Sequence, residues 1–247
     1  MTIKGDAYMK KVIKAAFLAT IPVMLGYLSV GIAFGLLFEK SGYNFWWAIF
    51  MSIAVYAGSM QFIAINLLTS GIGFIQIALM TLFVNIRHVF YGLSFIDKFK
   101  DMGKKKMYMI FSLTDETYSL LCSAKPPEGI NSNWFLFCIA FFNQIYWIIG
   151  TIVGSLAGSL IKFNTKGIDF AMTALFVVIF IEQWRTYKTH APALIGICAA
   201  IFSILIFGNN NLILPSMLII LLTLTIFHKQ IDGKNFEQNE GDLNNEY

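Results

Sequence analysis

Arg87 and His88 in one hydrophobic stretch, and Asp115 and Glu116 in another, stand where an otherwise apolar sequence should not carry charge. An Arg or Asp at the centre of a bilayer helix costs about 2.5 to 3.5 kcal/mol, so such residues normally face a cavity or each other. Arg87 offers a guanidinium fork to a carboxylate. Asp115 or Glu116 offers a counter-charge to an ammonium group or a carried proton. Asn85 and His88 are three residues apart and Arg87 and Tyr91 four apart, so on a helix each pair shares a face. Tyr56, Ser59 and Gln61 flank Gly58, where an unwound helix exposes backbone amides and carbonyls to a cavity. Plainer readings stand beside these: a snorkelling Arg87, a surface turn at Asp115-Glu116, a His88 bonded within the bundle, and a continuous helix through Gly58. Adjacent helical positions project about 100° apart, so one of Asp115 and Glu116 should face the cavity and the other lie at its edge. The shorter side chain of Asp115 favours it for the cavity.

The elements that must position these groups are membrane helices. The chain is 57% hydrophobic and 13% charged, against about 25% charged in a soluble domain, which leaves too little polar surface for a water-soluble globule. Ala15 to Phe38 is free of charge for 24 residues, about 36 Å as a helix against a hydrocarbon core of about 30 Å. Phe45 to Thr69 is a second charge-free run, edged by Trp46 and Trp47 at the depth where amphipathic rings lie. Ile72 to Ile96 begins apolar and is interrupted by Asn85, Arg87 and His88, leaving a clean part too short to cross alone. Met107 to Cys122 is polar in the middle, at Thr114-Asp115-Glu116-Thr117. Trp134 to Ile161 is a long span with Gly150, Gly154 and Gly158 on one face, an invitation to close helix contact that the chain is not expected to fill by itself. Asn143 and Gln144 in this span read as hydrogen-bonding glue between helices. Phe170 to Ile181, Ala191 to Phe207 and Leu212 to Phe227 complete about seven membrane-embedded segments. The expected organisation is a basic cytoplasmic segment at 1–14, a membrane domain at 15–227 and a polar, disordered tail at 228–247.

Charge sets a topological puzzle. Lysines at positions 4 to 14 and at 98 to 106 both favour the cytoplasm, which requires an even number of crossings between them, yet three segments lie there. One segment should be broken or re-entrant, with the second at Gly58 and the third at Asn85 as candidates. The apolar run after Lys14 is too long for a signal peptide and reads as a retained first helix. No internal repeat is visible. The net charge of +4 does not point to nucleic acid, because the lysines sit at segment ends. Cys122, Cys138 and Cys198 have neither disulfide nor metal spacing and read as small core residues. Glu182 and Arg185 read as a charged surface pair. No phosphate loop, zinc motif or nucleophile elbow occurs, and no cofactor is implied.

Tyr56-Ala57-Gly58-Ser59-Met60-Gln61-Phe62, Asn85-Ile86-Arg87-His88-Val89-Phe90-Tyr91-Gly92 and Leu113-Thr114-Asp115-Glu116-Thr117 occur in this order and spacing. Together they closely resemble the AzlC family, over almost the whole chain apart from the tail. The resemblance implies the large subunit of a bipartite bacterial exporter of leucine, isoleucine, valine and methionine. It implies an inner-membrane, multi-pass location, coupling to a proton or ion gradient, and a small AzlD-type membrane subunit as partner. The family motifs carry over onto Gly58, Gln61, Asn85, Arg87, His88, Tyr91, Asp115 and Glu116. The alternatives are a non-transporting membrane assembly subunit, whose charges only pair helices, and a membrane-embedded hydrolase, disfavoured because no nucleophile accompanies His88.

Overall fold

The structure, a computed structural model, describes residues 2–69, 71, 73–160, 174, 177, 180–181, 184–185, 190–208, 215–216 and 218–227, with side chains from Ala7 onward. Glu182 and the tail at 228–247 lie outside the described residues, which contain helices and no strand. The helices are α1 (Thr2–Lys40), α2 (Phe45–Ala54), α3 (Gly58–Thr69), α4 (Phe74–Ser94), α5 (Lys105–Phe111), α6 (Asp115–Ser123), α7 (Ser132–Leu160), α8 (Ala191–Phe207) and α9 (Leu218–Phe227). Three among the described residues are long and apolar enough to span a bilayer: Ala7–Lys40, Phe74–Ser94 and Ser132–Leu160. Leu25, Trp46, Phe90 and Leu160 expose apolar surface that suits lipid. The protein is an all-α polytopic membrane protein with shorter apolar helices beside its long spans.

The chain falls into two compact units, residues 1–77 with 84–168, and residues 78–83 with 169–247. The second contains α8, opened by Pro192 in its first turn, and the short apolar α9. The candidate groups all lie in the first.

That first unit is built on α1 and α7, which run parallel. Tyr8 Oη accepts from the Asn131 amide at 2.7 Å, Thr20 meets Tyr146 at 3.0 Å, and Glu39 accepts from Ser155 Oγ at 2.8 Å. The glycines set the approach. A Cβ on Gly154 would lie 2.0 Å from the Ile32 carbonyl oxygen, and one on Gly35 would lie 2.1 Å from that of Thr151. The stripe Gly150, Gly154 and Gly158 is therefore filled by α1, correcting the expectation that the chain leaves it open. The sequence signal identified close contact, which any helix carrying its own small residues can satisfy.

Two broken segments insert beside this pair. The second segment breaks between Ala54 and Gly58, and Tyr56 there has φ 42°. Gly58 itself is needed for space, since a Cβ would meet the Trp147 ring at 3.3 Å. At 10 and 12 residues, α2 and α3 are about 15 and 18 Å long, too short to cross singly. Tyr43, just before α2, donates to the carbonyl of Leu68 near the end of α3 at 3.4 Å and stacks on Phe38. The segment thus enters and leaves at the C-terminal end of α1, with its tip against Trp147 midway along α7. The fourth stretch breaks at 112–114, between α5 and α6. Lys105 lies 2.8 Å over the Trp134 ring, and Leu121 near the end of α6 packs with Ala16, Phe135 and Leu136. This hairpin enters and leaves at the opposite end, where α1 and α7 begin.

The third segment, α4, is one continuous helix of 21 residues through Asn85, so of the two candidate breaks the one at Asn85 is not present. Its Arg87 has found an opposite charge, which removes the reason for the helix to part. The lysine-bearing loop that follows sits beside the start of α7, where Asn133 donates to the Asp101 carbonyl at 3.4 Å. Both lysine clusters therefore share one end of the unit, as the positive-inside rule requires. An inverted repeat emerges that the sequence does not display: a long helix followed by a hairpin at its exit end, first α1 with α2–α3, then α4 with α5–α6.

Cys138 is half-buried, but Cys122 and Cys198 are exposed, correcting their reading as core residues. In a membrane domain an apolar run can face lipid, so lying within one does not place a thiol in the core.

Candidate functional site

The tips of the two hairpins meet midway along α1 and α7. Tyr56 of the first lies 6.3 Å from Phe111 of the second, ring centre to ring centre, and its hydroxyl sits beside those of Thr117 and Tyr27. α4 passes between them. The i, i+4 spacing of Arg87 and Tyr91 aims both at one carboxylate: Arg87 Nη2 lies 3.0 Å from Asp115 Oδ2, and Tyr91 Oη donates to Asp115 Oδ1 at 2.7 Å. Arg87 Nη2 also donates to Ser59 Oγ. One guanidinium on α4 therefore joins the first turn of α3 to the first turn of α6. The ion pair keeps about a third of its surface accessible, 34% for each side chain.

Thr114 starts α6 by accepting from the Thr117 amide at 3.3 Å, and so fixes the directions of the two acids behind it. Asp115 turns to α4 and Glu116 to α1, where Tyr27 Oη donates to Glu116 Oε2 at 2.9 Å and is also bonded to the Thr114 hydroxyl. Glu116 is exposed, with its carboxylate reached by the Tyr27 hydroxyl.

At the other break, Gln61 is fully buried, takes the Trp147 indole N–H on Oε1 at 3.0 Å, and keeps Nε2 without a partner. The amides of Gly58, Ser59 and Met60 precede the first backbone bond of α3, from Gln61 to Ala57 at 2.8 Å. Arg87 Nε and Asn85 Oδ1 are likewise buried without partners. Two unused side-chain donors, Gln61 Nε2 and Arg87 Nε, thus lie beside the first turn of α3, while Asn85 Oδ1 is an unused acceptor. His88 lies apart, with Nδ1 3.2 Å from the Asn85 carbonyl of its own helix and its ring edge-on to Tyr91. Asn143 donates to Thr117 at 3.1 Å, and Gln144 accepts from Tyr108 at 2.7 Å, both between helices. No group of acids, histidines and cysteines suited to a metal ion occurs among the described residues.

Tyr27 and Trp147 complete the site and were not singled out in the sequence, whereas Thr114 and Thr117 were noted only as part of the polar motif around the two acids. For the first two, a tyrosine in the middle of the charge-free first run is the one signal.

The AzlC protein family matches residues 22–161, a stretch that contains both hairpins, α4 and the whole cluster. The chain belongs to the AzlC family. Among AzlC relatives, it is 43% identical over 219 residues to the branched-chain amino acid transport protein AzlC of Bacillus subtilis, covering 89% of this chain and 86% of that one. It is 40% identical over 222 residues to a membrane protein of Helicobacter pylori strain J99, covering 90% and 97%. It is 27% identical over 192 residues to the inner membrane protein YgaZ of Escherichia coli, covering 74% and 78%. No solved structure matches the chain. The similarity supports a transport role in a membrane.

Proposed function

We propose that this AzlC protein exports the branched-chain amino acids leucine, isoleucine and valine, and with them the unbranched methionine, across the bacterial inner membrane, without enzymatic chemistry. The observation that carries the reading is Arg87 tying Ser59 to Asp115 where two inverted helix breaks meet. A substrate carboxylate competes with Asp115 for that guanidinium and finds further donors in the free amides of α3 and in Gln61. The rings of Tyr56, Phe111 and Trp147 offer apolar surface to the branched side chain. The ligand's arrival loosens the tie between the hairpins, and an Asp115 released from Arg87 takes up a proton, which links flux to a proton gradient. His88, Asn85 and Tyr91 hold the α4 face on which Arg87 stands.

A small AzlD-type membrane subunit is the proposed partner, resting on the family resemblance, since the glycine stripe is occupied by α1. The test is radiolabelled leucine efflux from proteoliposomes holding the chain alone or with the small subunit. Efflux that rises with the subunit and follows an imposed pH gradient supports the reading. Full efflux from the chain alone removes the partner, and no efflux from either assigns the protein to assembly instead of transport.

A further inference from the structure

We propose that Glu116, positioned by Tyr27, is the subsite for the substrate's α-ammonium group. The inference rests on the amino-acid reading above and assigns one end of the ligand. Around the meeting point of the hairpins the charged side chains are Arg87, Asp115 and Glu116. Arg87 and Asp115 neutralise each other, and both oxygens of Asp115 are occupied, one by Arg87 and one by Tyr91. Glu116 has no basic partner among the described residues; it receives one hydroxyl, from Tyr27 at 2.9 Å. The cluster therefore carries one unmatched negative charge, on an exposed carboxylate at the meeting point of the hairpins. A carboxylate within a membrane domain is costly unless a charge and hydrogen-bond donors come to it. A primary ammonium brings both, with three donors on a compact head.

The placement also separates the two ends of a zwitterion. Glu116 and Asp115 diverge from the first turn of α6, so the ammonium is held toward α1. The carboxylate is held toward α4, where Arg87 Nε and the first turn of α3 retain unused donors. Tyr27 is a positioning residue: its hydroxyl, also bonded to Thr114, fixes the Glu116 rotamer.

The test is equilibrium binding to the full-length purified chain of three probes: leucine; leucinol, which lacks the carboxylate; and 4-methylpentanoate, which lacks the ammonium. Glu116→Gln should weaken leucine and leucinol at least tenfold and leave 4-methylpentanoate unchanged. Tyr27→Phe should act in the same direction severalfold, and it carries the test should Glu116→Gln fail to fold. Arg87→Ala should give the converse pattern, losing 4-methylpentanoate and keeping leucinol. Unchanged leucinol affinity in Glu116→Gln and Tyr27→Phe overturns the subsite, while loss in Arg87→Ala alone leaves the amino-acid reading standing. Intact leucinol binding with a lost flux response to pH assigns Glu116 to the proton and also overturns it. A wild-type chain that binds none of the probes removes the amino-acid reading, and the subsite with it.

Discussion

Gly154→Ala puts the scaffold under the most direct strain. The added carbon would sit 2.0 Å from the Ile32 carbonyl oxygen and 2.7 Å from its carbon, where real contacts rarely fall below 3.0 Å. The atoms it would meet are helical backbone, which cannot rotate aside, so α1 and α7 must part by about 1 Å, the difference between 2.0 and 3.0 Å. Overpacking of a tight core costs about 1 to 3 kcal/mol when side chains can adjust, and here they cannot, so the upper end applies. Separation would also loosen Thr20 from Tyr146 and Tyr27 from Trp147, whose rings lie 5.6 Å apart. Gly26→Ala is the matched control: it lies in α1, the helix that α7 packs against, with nothing within 4 Å of the new carbon, and alanine there should gain up to about 1 kcal/mol of helix propensity. The assay is the fraction of monodisperse chain in detergent after a heating series, with the chain expressed without any partner. Gly154→Ala should lose its folded fraction well below wild type, and Gly26→Ala should match or exceed it. Equal stability of the two variants would refute the parallel glycine seam and return the stripe to an external partner.

Three other outcomes follow from the same geometry. In a cysteine-free background, Ser41→Cys and Gly73→Cys should react with an impermeant thiol reagent from one side of the membrane and Lys104→Cys from the other; opposite sides for positions 41 and 73 would mean that α2–α3 crosses. Trp147→Phe removes the donor to a fully buried Gln61 and should cost about 1 to 3 kcal/mol of stability, read from the same heating series; no loss would show that Gln61 finds another partner. Lys98→Met withdraws the ammonium that caps the Leu121 carbonyl at 2.7 Å and should raise proteolysis at the end of α6, with unchanged cleavage counting against that cap.

Much of the site was legible because its informative residues are close in sequence. Spacing alone put Arg87 and Tyr91 on one face, and both reach Asp115; adjacency alone made Asp115 and Glu116 diverge. The break near Gly58 was legible from composition, but the residue with positive φ is Tyr56, and the glycine is there for Trp147. What stayed hidden depends on long-range pairing. Tyr27 and Glu116 are 89 residues apart, and Gln61 and Trp147 are 86 apart. Hydropathy cannot say whether a run crosses or turns back, so the third segment was a candidate for a break that the Arg87–Asp115 pair makes unnecessary. Nor does a glycine stripe name its partner: Gly154 reads the same whether it meets α1 or another subunit.

The central claim is that Arg87 serves the transported carboxylate. The deciding measurement is leucine efflux from preloaded cells expressing wild type, Arg87→Ala or Arg87→Lys at matched membrane levels. Arg87→Ala should abolish efflux while the protein still inserts, and Arg87→Lys should restore only part, because lysine lacks the planar fork that spans two acceptors. Efflux at the wild-type rate from Arg87→Ala would contradict the account and leave Arg87 as a structural tie between Ser59 and Asp115.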